Sequence, residues 1–171
     1  MRIELENVEE AGGKFSRVYA PEQLRFEEAE LRLSGPVEVS GRAGRKNGEV
    51  ELRGELKTKV SAPCGRCLKP VELPIEVKFA ERFVPAVSWR HEEQHELQEE
   101  DLNISVLDGE GIELDDLVKE EILLAVPGHV LCREDCQGLC PICGADRNLE
   151  TCECESERID SRWEKLGDLQ F

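Results

Sequence analysis

Six cysteines crowd into the 23 residues from Cys132 to Cys154, as Cys132-Arg-Glu-Asp-Cys136-Gln-Gly-Leu-Cys140-Pro-Ile-Cys143-Gly, then Cys152-Glu-Cys154. Thiols this close in sequence have few geometric options. In the stretch from Cys140 to Gly144 a tight turn of the zinc-knuckle kind presents two sulfurs to one ion, and Gly144 is free to take the positive φ such turns use. Two further sulfurs at about 2.3 Å complete a closed tetrahedral zinc site. The spacing gives Cys132, Cys136, Cys140 and Cys143 as the leading ligand set, with Cys152 or Cys154 able to replace one of them. A second site would combine Cys64, Cys67, Cys152 and Cys154. All-sulfur coordination leaves no position for water, so zinc here would be structural. Iron satisfies the same spacing.

Eight cysteines also permit four disulfides arithmetically. The N-terminal stretch from Met1 to Glu10 has no apolar run of signal-peptide length, and no stretch of the chain is long and apolar enough to span a bilayer. The expectation is therefore a cytoplasmic protein without membrane contact, where thiols stay reduced and grouped cysteines hold metal. A redox role for the Cys-x2-Cys pairs is weaker. Neither pair opens a helix within a βαβ pattern, the setting that motif needs in thioredoxin-like proteins.

The cysteine segment hangs on the end of a chain that otherwise reads as strands. Val37, Val39, Gly41 and Ala43 alternate on one side of Lys46-Asn47-Gly48, and Val50, Leu52, Leu56, Thr58 and Val60 on the other. Asn-Gly between two period-2 runs signals a hairpin, since both residues tolerate positive φ. The hairpin ends at Cys64-Gly-Arg-Cys67, and a third strand follows with Val71, Leu73, Ile75, Val77 and Phe79 on one face. Pro74 on its other face argues for an edge or a bulge. Ile3 and Leu5 suggest a further strand, the Glu-rich run to Glu30 a short helix, and Leu102, Ile104 and Val106 another strand. Apolar positions 114, 117, 118, 122 and 125 fit a helix over 113–126 that Pro127-Gly128 ends. Asp115 and Asp116 lie in its first turn, where the helix dipole favours carboxylates. His91 and His95, spaced i, i+4 in a Glu-rich loop, read as exposed side chains, and Trp163, Leu166 and Leu169 as a short amphipathic piece. The fold class is thus α+β: an antiparallel β-rich N-terminal sheet or open barrel, one main helix, and a C-terminal Cys-rich zinc-knuckle segment. The expected division is residues 1–127 and 128–171.

Charge is distributed unevenly. The formal net charge is −16, yet Arg42 to Lys69 holds eight basic residues against three acidic ones, and Glu92 to Glu121 holds thirteen acidic residues against Lys119 alone. Arg42, Arg45, Lys46, Arg53, Lys57 and Lys59 are interleaved along the hairpin and are the candidate nucleic-acid contacts. The competing reading pairs them with Glu49, Glu51, Glu55 and the acidic loop, as cross-strand opposite charges commonly do. The acidic remainder repels naked nucleic acid at long range and attracts basic partners. No phosphate-cradling Gly-rich loop, His-Glu-x-x-His pattern or Gly-x-Ser-x-Gly elbow is present, which argues against catalysis and a small-molecule substrate.

The order of these motifs carries a resemblance. A basic hairpin is followed by Cys64-Gly-Arg-Cys67-Leu, Phe79-Ala-Glu-Arg-Phe83, an acidic loop, and Leu114-Asp-Asp-Leu-Val-Lys-Glu-Glu-Ile-Leu-Leu-Ala-Val-Pro127. Cys136-Gln-Gly-Leu-Cys140-Pro-Ile-Cys143-Gly and Ile159-Asp-Ser-Arg-Trp163 close the series. This resembles the bacterial and plastid YceD family, the large ribosomal RNA subunit accumulation proteins. The resemblance implies a non-enzymatic cytoplasmic factor in 23S ribosomal RNA accumulation or large-subunit biogenesis. Its partner would be ribosomal RNA or a basic ribosomal protein of the large subunit. The family includes members with fewer C-terminal cysteines, so the implied metal is structural in this branch. A zinc- or thiol-based redox or metal-sensing protein is the alternative.

Overall fold

The computed structural model describes residues 2–4, 8, 12–26, 30–46, 48–86, 104–107 and 111–154. His91, His95, most of the acidic loop and the amphipathic piece around Trp163 lie outside the described residues, as do 27–29 of the Glu-rich run.

The hairpin expected around Asn47-Gly48 forms the centre of the molecule. Strand β4 (Val37–Lys46) pairs antiparallel with β5 (Glu49–Pro63), which pairs antiparallel with β6 (Pro70–Pro85). Ahead of them come β1 (Arg2–Glu4), β2 (Gly13–Tyr19), a 3-10 turn at Pro21–Gln23, and β3 (Arg32–Leu33). β2 lies along β4, and β3 takes up the edge of β5 beyond the end of β4. After β6 come β7 (Ile104–Leu107) and β8 (Gly111–Glu113), then helix α1 (Leu114–Ala125). The main sheet runs β2-β4-β5-β6-β7, and β1 and β8 form a separate antiparallel pair.

An antiparallel sheet is the expectation, and one pair departs from it. β7 runs parallel to β6, Arg82 opposite Ile104 through Pro85 opposite Leu107. A parallel pair needs a crossover connection far longer than a hairpin turn, and residues 86–103 supply that length. Over Pro74, β6 has β5 on one side and none of the described strands on the other, so the proline occupies an edge, where its missing N–H costs no ladder bond.

Alternation sets the two faces. Val50, Leu52, Leu56, Val60 and Ala62 of β5 are buried with Val37, Val39 and Ala43 of β4 and Ile75, Phe79 and Phe83 of β6. Helix α1 closes the core with Leu114, Leu117, Val118 and Ile122, each contributing about 1.5–3 kcal/mol when fully buried. The buried Tyr19 of β2 donates its hydroxyl to Asp115 Oδ1 at 2.7 Å, fixing the first turn of α1 to the sheet.

Within this face, Gly41 and Gly54 stand directly opposite each other. The rings of Phe15 and Phe79 fill the space their side chains would take: a Cβ at Gly41 would meet Phe15 Cζ at 2.6 Å, and one at Gly54 would meet Phe79 Cζ at 2.6 Å and the Ser40 carbonyl at 2.7 Å. Backbone on one side and packed rings on the other leave nothing that can yield. Gly54→Ala is therefore expected to destabilise by about 3 kcal/mol, at the upper end of overpacking costs, as read by urea denaturation.

Candidate metal centre

Two turns of the same construction present the first sulfurs. In the turn joining β5 to β6, the Cys64 amide donates to the Lys69 carbonyl at 2.8 Å and the Leu68 amide to the Cys64 carbonyl at 3.0 Å. In the second, the Cys140 amide donates to Ala145 at 2.8 Å and the Gly144 amide to Cys140 at 2.9 Å. Each Cys-x2-Cys pair is thus closed by the same two bonds, and the residue after the second cysteine has positive φ: 76° at Gly144, as the sequence suggests, and 60° at Leu68. Leucine there carries a steric cost of about 1–2 kcal/mol, which the turn's hydrogen bonds must offset.

The structure groups the eight thiols differently from their order in the chain. Cys64, Cys67, Cys132 and Cys136 form one set, and Cys140, Cys143, Cys152 and Cys154 the other, with all ligand atoms of a set within 4.8 Å of one another. The expected set Cys132, Cys136, Cys140 and Cys143 is split, and Cys64 and Cys67 join Cys132 and Cys136 instead of Cys152 and Cys154. The cause lies in the backbone around the first turn. The Gly65 amide donates to Val130 at 2.8 Å, the Leu139 amide to Arg66 at 3.0 Å, and the Arg66 guanidinium to the Cys136 carbonyl at 2.8 Å. These bonds draw residues 130–139 onto the end of the hairpin, so Cys132 and Cys136 face Cys64 and Cys67. The second turn, four residues on, is left to the next thiols along the chain.

The sulfur spacing fits a metal. Tetrahedral coordination at about 2.3 Å separates the sulfurs by about 3.8 Å, and here Cys64 and Cys136 Sγ are 3.9 Å apart and Cys67 and Cys132 Sγ 3.6 Å. All eight cysteines are free, and a disulfide would bring the sulfurs to about 2.05 Å. Cys64, Cys67 and Cys136 are buried among Val71, Leu131 and Leu139, whereas Cys132 is exposed. In the second set Cys140 is buried and Cys143 exposed.

Donors converge on one sulfur of each turn. Backbone amides of Cys67, Arg66 and Cys132 bring the Cys64 thiol down to about 6, and those of Cys143 and Ile142 do the same for Cys140. The proton shared with Cys67 holds Cys132 up to about 12, and Cys154 is held there by its hydrogen bond with Cys143 and by burial. Each set thus has one thiol poised as thiolate and one that gives up its proton readily only to a cation. Either set can hold one ion with affinity for thiolate, coordinated wholly by protein sulfur.

A polar seam supports the ligands from behind. Asn148 Nδ2 donates to Cys136 Sγ at 3.5 Å and to Asp146 Oδ1 at 2.6 Å, while Arg147 reaches Cys140 Sγ at 3.9 Å. Asp146 Oδ2 meets Lys69 Nζ at 2.7 Å, an ion pair that is the partner of an oxygen with no aligned hydrogen bond. The Lys69 ion pair and the Asn148 hydrogen bonds hold the Asp146 carboxyl down to about 2 from an ordinary 3.8. Its folded value lies below its unfolded one, so its contribution is present above the ordinary carboxylate range and lost as pH falls through about 2. Asp146→Asn removes the charge that clamps the second turn to the first. Metal affinity is expected to fall about tenfold or more, the scale for groups supporting metal ligands, in competition with a chromophoric chelator.

The hairpin cations are scattered. Arg42, Arg53, Lys57 and Lys59 alternate with the core residues and are exposed. Arg53 bonds Glu51 at 2.7 and 2.5 Å, and Lys57 pairs with Glu76 at 3.7 Å, so part of this charge is met within the sheet. Arg45 stands opposite Val50 on the other face, exposed at the hairpin's end, and the Lys46 side chain is outside the described residues. Lys14 and Lys78, on the neighbouring strands, share the face of Arg42 and Arg53; lying outside the hairpin, they escape a reading by charge run. Among the described residues no helix is long and apolar enough to cross a membrane.

A strand-rich domain with one described helix and two sets of four cysteines able to hold metal is the class that fold and site define. The model of the family described as "Large ribosomal RNA subunit accumulation protein YceD" matches residues 52–170, and the chain belongs to that family. The chain is 29% identical over 142 residues to the "Uncharacterized protein YlbN" of Bacillus subtilis, covering 82% of this chain and 78% of that one. An uncharacterized protein of Mycobacterium tuberculosis is 29% identical over 152 residues, 89% of this chain and 70% of its own. The "Large ribosomal RNA subunit accumulation protein YCED homolog 1, chloroplastic" of Arabidopsis thaliana is 24% identical, over 79% of this chain and 49% of that one. No solved structure matches.

Proposed function

We propose that the protein is a non-enzymatic factor in the accumulation of 23S ribosomal RNA during large-subunit biogenesis. It binds ribosomal RNA through the solvent face of its sheet, and its acidic remainder can meet basic ribosomal proteins of the large subunit. The observation that carries this reading is that open face, on which Arg42, Arg53 and Lys57 stand exposed in a chain of net charge −16. Membership of a family named for ribosomal RNA accumulation supplies the class of nucleic acid. Two structural zinc ions, one in each cysteine set, hold the C-terminal part in place. Residues 1–127 then make one β-rich unit and 128–171 a second, metal-organised one, with Cys64 and Cys67 bridging the boundary.

Affinity capture from lysate tests the binding mode. Ribosomal precursor particles are expected to co-purify and to be lost after RNase treatment. Retention of a basic ribosomal protein after complete RNA digestion would favour protein contact over RNA contact. A thiol-sensing reading has one observation in its favour, the exposure of Cys132 and Cys143, which opens one ligand of each set to oxidants. It requires mild peroxide to release zinc and abolish particle binding together.

A further inference from the structure

Across the solvent face of the main sheet, Lys14 of β2 stands opposite Arg42 of β4, and Arg42 opposite Arg53 of β5. Like charges directly opposite on neighbouring strands are destabilising, and the fold gains nothing from such a row. Arg53 is neutralised by Glu51, but among the described residues Lys14 and Arg42 have no ion-pair partner. Two residues along, on the same face, Ser16, Ser40, Glu55 and Lys78 form the next row, again in consecutive pairing. The two rows line a shallow groove of about 610 Å³ whose floor includes the backbone of Gly41 and Gly54. Four cations and one carboxylate line it, in a chain where acidic residues outnumber basic ones 38 to 22.

We propose that this groove is the phosphate-binding track of the protein, which takes the sugar–phosphate backbone of ribosomal RNA. Neighbouring strands lie about 4.8 Å apart, so the row from Lys14 through Arg42 to Arg53 reaches across about 10 Å, enough for a backbone crossing the strands to meet successive cations. Ser16 and Ser40 add hydroxyl donors, the other side-chain type that commonly contacts phosphate. Glu55, the one carboxylate in the groove, opposes an anionic ligand and limits affinity. The assignment rests on the reading that the protein binds ribosomal RNA, and it replaces a diffuse hairpin contact with a groove in which Lys14 and Lys78 act and Arg45 and Lys59 do not.

The test measures binding of the full chain to transcribed 23S ribosomal RNA across a salt series. The double substitution of Lys14→Gln and Lys78→Gln is expected to weaken binding and to flatten the slope of log affinity against log salt by about 1.4 to 1.8, two phosphate contacts. Glu55→Gln is expected to tighten binding. Arg45→Gln with Lys59→Gln, outside the groove, should leave affinity and slope unchanged. Melting temperature, expected not to fall across these exposed substitutions, separates binding loss from unfolding. If the wild-type chain binds RNA and the groove pair changes neither affinity nor slope, or only the outer pair does, the groove is wrong while the RNA-binding reading stands. If the wild-type chain shows no salt-dependent RNA binding and captures only protein, both fall.

Discussion

Replacing Cys64 by serine is expected to remove one of two metal ions and to free residues 130–139 from the sheet, whereas Cys143→Ser removes the other ion and leaves that seam closed. The difference follows from where each set gets its ligands. Cys64 and Cys67 belong to the β5–β6 turn, and Cys132 and Cys136 to the segment after α1, so the first set joins parts of the chain 65 or more positions apart. The second set draws all its sulfurs from residues 140–154. Cys64 also accepts the Cys132 amide at 3.4 Å, and the buried sulfurs of its set pack with Val71, Leu131 and Leu139. A closed structural zinc site contributes its binding energy to folding, so losing the first set uncouples two regions and losing the second frays one end. Limited proteolysis should cut Cys64→Ser within 130–139 and Cys143→Ser only beyond 139, with β4, β5 and β6 protected in both. Their strand-to-strand core, from Val37 to Phe83, does not include the sulfurs. Cleavage inside β5 or β6 of either variant would show that the sheet depends on the metal.

The second large effect is on pH. Thiols must lose their protons to bind metal, so the apparent affinity of each set rises with pH by one power of ten per unit for each proton displaced. At neutral pH Cys64 and Cys140, held at about 6, have already lost theirs, while Cys132 and Cys154, held near 12, have not. Each set therefore displaces at most three protons near pH 7, and affinity is expected to fall up to about a thousandfold per set for one unit of acidification. Below about pH 6 the dependence steepens toward the fourth power as Cys64 and Cys140 protonate. In the metal-free chain the signs oppose each other. Cys64 and Cys140 lie below the ordinary 9.0, so their stabilisation is full above that value and lost as pH falls through about 6; that of Cys132 and Cys154 is full below 9.0 and lost as pH rises through about 12. Competition titrations at stepped pH read the slope, and a value near one per set would contradict four thiolate ligands.

The sheet was largely legible because period-2 alternation over ten or more residues admits few other structures, and Gly48, φ 86°, closes the hairpin where Asn-Gly indicates. Helix α1 was legible for the same reason at its own period. β1 and β8, three residues each, are too short to carry a pattern, and their pairing is set by tertiary packing. The direction of β7 was hidden because alternation is blind to whether a neighbour runs parallel. The cysteines were recognisable as candidate metal ligands by number and spacing, but nearness in the chain misled the grouping. The signal that resolves it is the repeated turn. Cys64-Gly-Arg-Cys67 and Cys140-Pro-Ile-Cys143 each supply half a site, so each must take one of the remaining pairs, Cys132 with Cys136 or Cys152 with Cys154. The cationic groove escaped because its members come from four strands, and only the register brings Lys14 and Lys78 beside Arg42 and Arg53.

Native mass spectrometry of the full chain, purified without oxygen and with no added metal, tests most directly whether two tetrathiolate sites organise this protein. Two zinc ions per chain are expected, with one lost in Cys64→Ser, one in Cys143→Ser and both in the double variant. A wild-type chain carrying one ion or none, or the mass deficit of disulfides in place of metal, would contradict it.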